Sequence, residues 1–291
     1  MSGENGPLPS SRNGWMLSPA EKALVMGILN VTPDSFADGG RYFDTPFAVA
    51  QALRMEAEGA AIIDIGGEST RPGSLPVPPE EQCRRVLPVI RALREQSGIP
   101  VSIDTTRRRV AEAALDAGAD MVNDISALRE EPDMAQLLAE RGAPVILMHM
   151  QGTPREMQKN PRYADVVEEV KAFLAERRES AVAAGIRRDA IVLDPGFGFG
   201  KTAAHNLTLL ANLSRIVALG SPVLAGLSRK STIGAVLDLP VEERLEGSLA
   251  SAVLAVAEGA RLVRAHDVRA TVRAVRMAEA VVSHRAKKGD A

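Results

Sequence analysis

The chain has 291 residues and a formal net charge of -2, with 45% hydrophobic and 25% charged residues. That balance is typical of a globular protein able to bury a substantial core, and it gives no bulk sign of a nucleic-acid or anionic-membrane partner. The one cysteine, Cys83, excludes an internal disulfide and fits a reducing compartment, and no apolar run approaches the roughly 20 residues of a membrane-spanning helix.

Residues 1–18 are polar and rich in Gly, Pro, Ser and Asn, without the apolar centre of a signal peptide or the Arg-rich pattern of a transit peptide. They read as part of a disordered leader over 1–20, ahead of a single folded domain over 21–285 and a disordered tail over 286–291. Strands are expected at 24–29, 60–65, 100–103 and 120–122, with helices after them over 46–58, 80–96, 107–117 and 132–141. The same alternation continues with strands at 144–148, 190–193, 222–227 and 261–265, and helices over 165–184, 203–219, 242–258 and onward to 282. Gly59, Gly98, Gly118, Gly142, Gly185, Gly220 and Gly259 stand where helices close and can take the left-handed conformation that ends one. The strands are continuous apolar runs, so both faces are expected to be buried. Eight strand–helix units in about 260 residues match the count and length of a (β/α)₈ TIM barrel. An open doubly wound sheet is the competing arrangement.

The last residues of these strands carry the chemistry. They are Asn30, Asp64, Asp104, Asn123 with Asp124, His149, Asp194, Lys230, and Arg264 with His266. In a barrel the C-terminal strand ends form the active site. Single Asn and Asp residues at such positions also cap helices, but hardly any strand here ends in an apolar residue. Carboxylates and amides occupy strands one to six, and cations strands seven and eight. The sixth strand opens into Asp194-Pro195-Gly196-Phe197-Gly198-Phe199-Gly200-Lys201, where Pro195 and three alternating glycines force a loop. A carboxylate pairs with adjacent N–H donors, an amide both donates and accepts, and a guanidinium stacks on a planar ring while reaching an anion. Ser69, Thr70, Arg71 and the backbone of Gly66-Gly67 offer phosphate-type donors. A planar, guanidine-like heterocycle bearing a phosphate ester satisfies the whole set.

Other motifs fail. Gly200-Lys201-Thr202 resembles the end of a phosphate-binding loop, but Pro195 occupies the other required glycine position, and Lys201 occupies the last glycine of a dinucleotide fingerprint. There is no Gly-x-Ser-x-Gly elbow. His149, His205, His266 and His284 lack the spacing of a zinc site, and His205 and His284 read as surface helix residues. Arg107-Arg108-Arg109 reads as a solvated helix start.

The chain resembles the dihydropteroate synthase family of the folate pathway. The resemblance is carried by Met26-Gly27-Ile28-Leu29-Asn30-Val31-Thr32-Pro33-Asp34-Ser35-Phe36, Asp64-Ile65-Gly66-Gly67-Glu68-Ser69-Thr70-Arg71-Pro72-Gly73, Ser102-Ile103-Asp104-Thr105 and Asn123-Asp124-Ile125-Ser126. It continues through Met148-His149-Met150-Gln151-Gly152, the segment from Asp194 to Lys201, Ser228-Arg229-Lys230-Ser231 and Arg264-Ala265-His266-Asp267, covering nearly the whole chain. It implies the barrel, a homodimer, a cytoplasmic setting and sensitivity to sulfonamides. It also implies joining of 7,8-dihydropterin-6-ylmethyl diphosphate to 4-aminobenzoate with release of pyrophosphate. By the same resemblance, Asp104, Asn123, Met148, Asp194, Phe199, Lys230 and Arg264 bind the pterin, and Asn30, Thr70, Arg264 and His266 the pyrophosphate. Phe36, Arg71, Pro72, Lys230 and Ser231 shape the aminobenzoate pocket. Asp34, Asp104, Lys230, Arg264 and His266 are the implied catalytic set, with Mg²⁺ on Asn30 and phosphate oxygens. The implied mechanism is dissociative, with two Gly/Pro-rich loops, 31–40 and 66–79, closing over a methylene cation.

Departures from the family pattern are small: Ala37 for the frequent Ser, Ala127 for Gly and Ala265 for Val. Three other readings share the strand-end residues. A non-catalytic pterin-binding paralogue would lose the loop motifs that are intact here. A pterin-dependent methyltransferase on the same barrel would not need them. An aldolase-type barrel would use Lys230 as a Schiff base.

Overall fold

The computed structural model describes residues 22–32, 45–69 and 73–289. Its first half contains β1 (Leu24–Asn30), α1 (Thr45–Ala57), β2 (Ile62–Gly66), α2 (Pro79–Arg94), β3 (Val101–Asp104), α3 (Arg108–Ala117), β4 (Met121–Asp124) and α4 (Asp133–Arg141). Then come β5 (Val145–Met148), α5 (Val166–Ala183), β6 (Ile191–Asp194), α6 (Ala203–Ala211), α7 (Ser214–Val217), β7 (Leu224–Ala225), α8 (Ser231–Leu237), α9 (Leu245–Ala257), β8 (Leu262–Ala265) and α10 (Val268–Gly289). Neighbouring strands are parallel in the order β6-β5-β4-β3-β2-β1-β8-β7. One bridge, Leu193 to Val223, brings the ends of that order together, with Leu193 N donating to Pro222 O at 2.9 Å. The sheet is therefore a barrel, and the open doubly wound alternative falls away.

Successive side chains on a strand point to opposite faces. One parity contributes Val25, Leu29, Ile63, Val101, Val145 and Leu193 to the main core between strands and helices. The helices meet it with apolar stripes, as in α2, where Val86, Val89, Ile90 and Leu93 recur at helical spacing. The other parity faces the barrel axis. There Met26, Ile62, Met121, Ile146, Val192, Leu224 and Leu262 form a separate buried cluster, the floor of the lumen. Two residues further along the same strands come Ile28, Asp64, Asn123, Met148, Asp194 and Arg264. The pleat thus carries the inner face from apolar to largely polar in one step.

Local signals mark several element boundaries. Asp165 caps α5 by accepting from Val167 N and Glu168 N at 2.9 and 3.1 Å. Thr202 and His205 form a reciprocal capping box at α6. Six of the seven expected helix-closing glycines adopt positive φ, but Gly98 does not, because α2 ends earlier, at Glu95 in the right-handed region.

Four further expectations are corrected. The helix foreseen over 203–219 breaks at Asn212, whose φ of -124° and ψ of 23° are not helical. Strand seven, foreseen over 222–227, shortens to Leu224–Ala225, since Pro222 has no N–H to donate and Gly226 no side chain to pack. Helix α8 was not foreseen, because Thr232, Ile233 and Gly234 are weak helix formers. Helix α10 runs to Gly289, so residues 286–289 of the expected tail are helical; nothing before Gly289 in that stretch breaks a helix. The expected leader, and residues 290 and 291, lie outside the described residues.

Candidate active site at the strand ends

The polar end of the lumen is built around Arg264, which follows Leu262 on the inner face of β8. Its Nε donates to Asp64 Oδ2 at 2.6 Å and its Nη2 to Asp104 Oδ2 at 2.9 Å. Asn123 Nδ2 donates to the same Asp64 oxygen at 3.1 Å. Asp64 is 0% exposed, and its Oδ1 has no hydrogen-bond partner among the described residues. Strands two, three, four and eight therefore meet in one hydrogen-bonded cluster.

Burial and the neighbouring Asp64 push the Asp104 carboxyl up to about 7, although Arg264 pulls the other way. For Arg264, burial works against the charge, but Asp64 and Asp104 outweigh it and hold the pKa above its ordinary value. Burial likewise raises Asp194, opposed by Lys230, by the Gly196 N–H and by Lys201. Burial lowers Lys230 to about 8 against the pull of Asp194. Asp104 and Lys230 are thus poised between charge states near neutral pH.

Asp194 closes β6, and its Oδ1 accepts from Gly196 N at 2.7 Å. Lys230 reaches over from the β7 side, donating to Phe197 O, with its ammonium 4.7 Å from the centre of the Phe199 ring. Met148 packs with Ile125, Met150 and Met157 in a small apolar cluster against which Phe199 rests. Asp104, Asn123, Met148, Asp194, Phe199, Lys230 and Arg264 therefore gather at one end of the barrel. Ser231 is exposed at the start of α8, next to Lys230.

The expected anion end is partly described. His266 follows β8, and its N and Nδ1 lie 3.2 and 3.0 Å from Ser228 Oγ, which orients the ring. Arg229 grips Asp267 through Nε and Nη2 at 2.9 and 2.6 Å, tying the β7 loop to the β8 loop. Asn30 ends β1, with its Oδ1 3.7 Å from where a Cβ on Gly66 would sit. Asp34, Phe36, Thr70, Arg71 and Pro72 lie outside the described residues, so their expected roles have no geometry here. The described base of the second loop is anchored. Glu68 accepts from Val77 N at 3.1 Å and from Gln82 Nε2 at 2.8 Å, and Thr105 Oγ1 donates to Gln82 Oε1 at 3.0 Å.

Two strand-end residues do not join the site. Asp124 and His149 have the outward parity. Asp124 accepts from Ser126 N at 2.7 Å and Leu128 N at 3.0 Å, holding a turn in which Ala127 and Leu128 both have positive φ. Burial lifts its carboxyl to about 6. His149 packs edge-on against Phe173, and burial with the nearby Lys201 pushes it down to about 2, so it is neutral. His205 caps α6 and His284 is exposed, as expected. Arg107, Arg108 and Arg109 are paired with Glu130, Glu112 and Glu80.

Asp64 has a larger part than the sequence reading gave it, holding both Asn123 and Arg264. Strand parity was the available signal, since Asp64 follows the inward Ile62 by two. Lys201, set aside with the failed phosphate loop, is 2% exposed beneath the Gly-rich loop.

A family model described as "Pterin binding enzyme" matches residues 26–266. Dihydropteroate synthase of Haemophilus influenzae is 49% identical over 247 residues, which cover 85% of this chain and 90% of its own length. The Yersinia pestis dihydropteroate synthase structure, a complex with a sulfonamide drug, superposes with a TM-score of 0.87 at 46% identity, covering 93% of this chain and 98% of that one. The Xanthomonas albilineans dihydropteroate synthase structure, in complex with 7,8-dihydropteroate, gives 0.83 at 48% identity, covering 92% and 96%.

Proposed function

Because the chain belongs to the dihydropteroate synthase family of pterin-binding enzymes, we propose specific roles for its rim residues in that family's reaction. The reaction condenses 7,8-dihydropterin-6-ylmethyl diphosphate with 4-aminobenzoate, giving 7,8-dihydropteroate and pyrophosphate in folate biosynthesis, and its enzyme is a sulfonamide target. The observation that carries the pterin assignment is the convergence of buried Asp104, Asn123 and Asp194 with Lys230 and Arg264. Asp194 accepts from the pterin amino group and adjacent ring N–H, with Asn123 beside it. Asp104 meets the ring N–H on the other side. Lys230 donates to the ring carbonyl and N5, Arg264 stacks on the ring, and Met148 with Phe199 walls it.

Asn30, Thr70, Arg264 and His266 hold the diphosphate, and Phe36, Arg71, Pro72, Lys230 and Ser231 the aminobenzoate. Among the described residues no group of three His, Cys, Asp or Glu gathers as a metal cage. The oxygen donor on Asn30 suits a hard ion that takes most of its ligands from phosphate and water, so Mg²⁺ fits. When bound, Mg²⁺ neutralises charge on the diphosphate. Departure of pyrophosphate leaves a methylene cation delocalised into the dihydropterin. The anionic Asp104 stabilises the ring charge, Arg264 and His266 the leaving charge, and Asp34 acts in the first loop. The aminobenzoate amine then attacks, and no protein nucleophile is required. A homodimer is supported by the exposed Leu254 of α9 and the exposed Met277 and Val281 of α10. A cytoplasmic setting is supported by the free Cys83.

The deciding experiment measures pyrophosphate release with Mg²⁺, with and without 4-aminobenzoate, alongside dihydropteroate. Product that needs both substrates is expected. Tight pterin binding without product would instead point to a binding paralogue or a methyltransferase.

A further inference from the structure

The loop after Asp194 has an unusual hydrogen-bond pattern. Five successive carbonyls each accept from a side chain. Gly196 O takes Lys201 Nζ at 2.9 Å, Phe197 O takes Lys230 Nζ, and Gly198 O takes Gln158 Nε2 at 2.5 Å. Phe199 O takes Lys201 Nζ again at 3.1 Å, and Gly200 O takes Tyr163 Oη at 2.8 Å. Lys201 makes a further contact at 2.8 Å with His149 Nδ1, just past β5. A fourth, longer contact at 3.4 Å reaches His149 O, so Nζ donates within a ring of four acceptors, and the neutral His149 must then carry its proton on Nε2.

The loop is pressed against the backbone beyond β5. A Cβ on Gly196 would lie 1.9 Å from His149 O, and one on Gly200 2.6 Å from Gln151 O. Both glycines have positive φ, 66° and 65°. Lys201 sits sealed under this contact, 2% exposed. Burial drives its pKa well below the ordinary lysine value, with Asp194 opposing. Burying a cation is costly unless its partners are well placed.

The same loop holds two residues assigned to the pterin. Gly196 N fixes one oxygen of Asp194, and Phe197 O fixes the ammonium of Lys230. Gly198 lies against the stem of Lys230, where an added Cβ would be 3.2 Å from Cδ. We propose that Lys201 is a positioning residue for pterin recognition: from beneath, it ties Gly196 and Phe199 to His149 and so sets the angle at which Asp194 and Lys230 present themselves. This rests on the reading of Asp194 and Lys230 as pterin contacts. Lys201 touches no substrate; it acts through the loop.

The test is Lys201→Met, which keeps an unbranched side chain one atom shorter and removes its donors. Calorimetry would measure binding of 6-hydroxymethylpterin and, separately, of inorganic pyrophosphate with Mg²⁺, to the full-length wild type and variant. Pterin affinity is expected to fall about 30-fold, from two carbonyls losing a buried donor, while pyrophosphate affinity stays within about twofold. Unchanged pterin affinity overturns the proposal, and so does equal loss of both ligands, which marks a general loss of fold. Should Lys201→Met fail to fold, Tyr163→Phe and Gln158→Met decide. Each frees one carbonyl of the loop and is expected to weaken pterin alone, by about threefold to tenfold, and wild-type affinity in both overturns the proposal. A wild type that binds no pterin would sink the assignment of the pocket itself, an outcome separate from the behaviour of Lys201.

Discussion

The lumen has two levels that differ by one step of the pleat. The lower is apolar except for the buried Ser102 of β3, with Met26, Ile62, Met121, Ile146, Val192, Leu224 and Leu262 packed on the axis. The upper holds Asp64, Asp104, Asn123, Asp194 and Arg264, with Lys230 reaching in. The lower level stabilises the ring by burial, each side chain contributing about 1.5–3 kcal/mol of transfer free energy. The upper level spends stability on buried charge, some of it unsatisfied, as at Asp64 Oδ1. The same strands thus support the fold at one end and strain it at the other, and the strained end is where a ligand can offset the cost.

The sharpest way to break this division is Asp194→Ala. Pterin binding should weaken by at least about 100-fold, because two charge-assisted hydrogen bonds are lost, while the far-ultraviolet circular dichroism of the fold is retained. An unfolded variant would mean that the upper level is as structural as the lower. The converse change is Leu262→Ala. It should cost about 2–5 kcal/mol in denaturant unfolding and leave pterin affinity within about twofold. Lost affinity in a folded Leu262→Ala protein would show that the levels are coupled.

A third experiment varies pH. Asp104 is raised to about 7, so the folded chain holds a proton that the unfolded chain releases near pH 4. The stability this group contributes is present below about pH 4 and is lost as pH rises towards 7. On the proposed role of Asp104, pterin binding runs the other way, since the ring N–H needs the anion. Affinity should rise about tenfold from pH 6 to about pH 8. It should level or fall beyond that, where Lys230, lowered to about 8, gives up its proton. Titration calorimetry on wild type and Asp104→Asn checks this, and an unchanged slope in the variant assigns the proton to another group.

The smallest expected effect is at Ala127, fully buried with φ of 53°. A left-handed alanine costs about 1 kcal/mol relative to glycine, partly offset by the greater freedom of glycine in the unfolded chain. Ala127→Gly should therefore stabilise by about 0.5 kcal/mol. A loss of stability on chemical denaturation would mean that this turn carries no strain.

Much of this was legible in the sequence. The alternation of apolar runs and helices, closed by glycines, specified eight strand–helix units, and the strand ends named the residues that gather around Arg264. Reading those ends without their parity blurred the result. Asp124 and His149 were grouped with the site although they face the helices, while Asp64, inward by the same rule, was given no role of its own. Lys201 was invisible because its function lies in carbonyl partners that no side-chain pattern records. Helix α8 was hidden because Thr232, Ile233 and Gly234 are held helical by tertiary context rather than by their own preference. Ala127 was legible as a departure from the family, and its positive φ supplies the physical reason that glycine is frequent there.

The ring has one thin joint. β7 is two residues long and meets β6 through a single backbone bridge, Leu193 to Val223. Directly beyond that joint stand Asp194 on one side and, through its loop, Lys230 on the other. On the proposed assignment, a pterin held by both is a keystone: it spans the gap where the backbone ladder is shortest. Occupancy of the pocket then appears as stiffness in the arch, and slowed hydrogen exchange along the Leu193–Val223 line would report the ligand from inside the wall of the barrel.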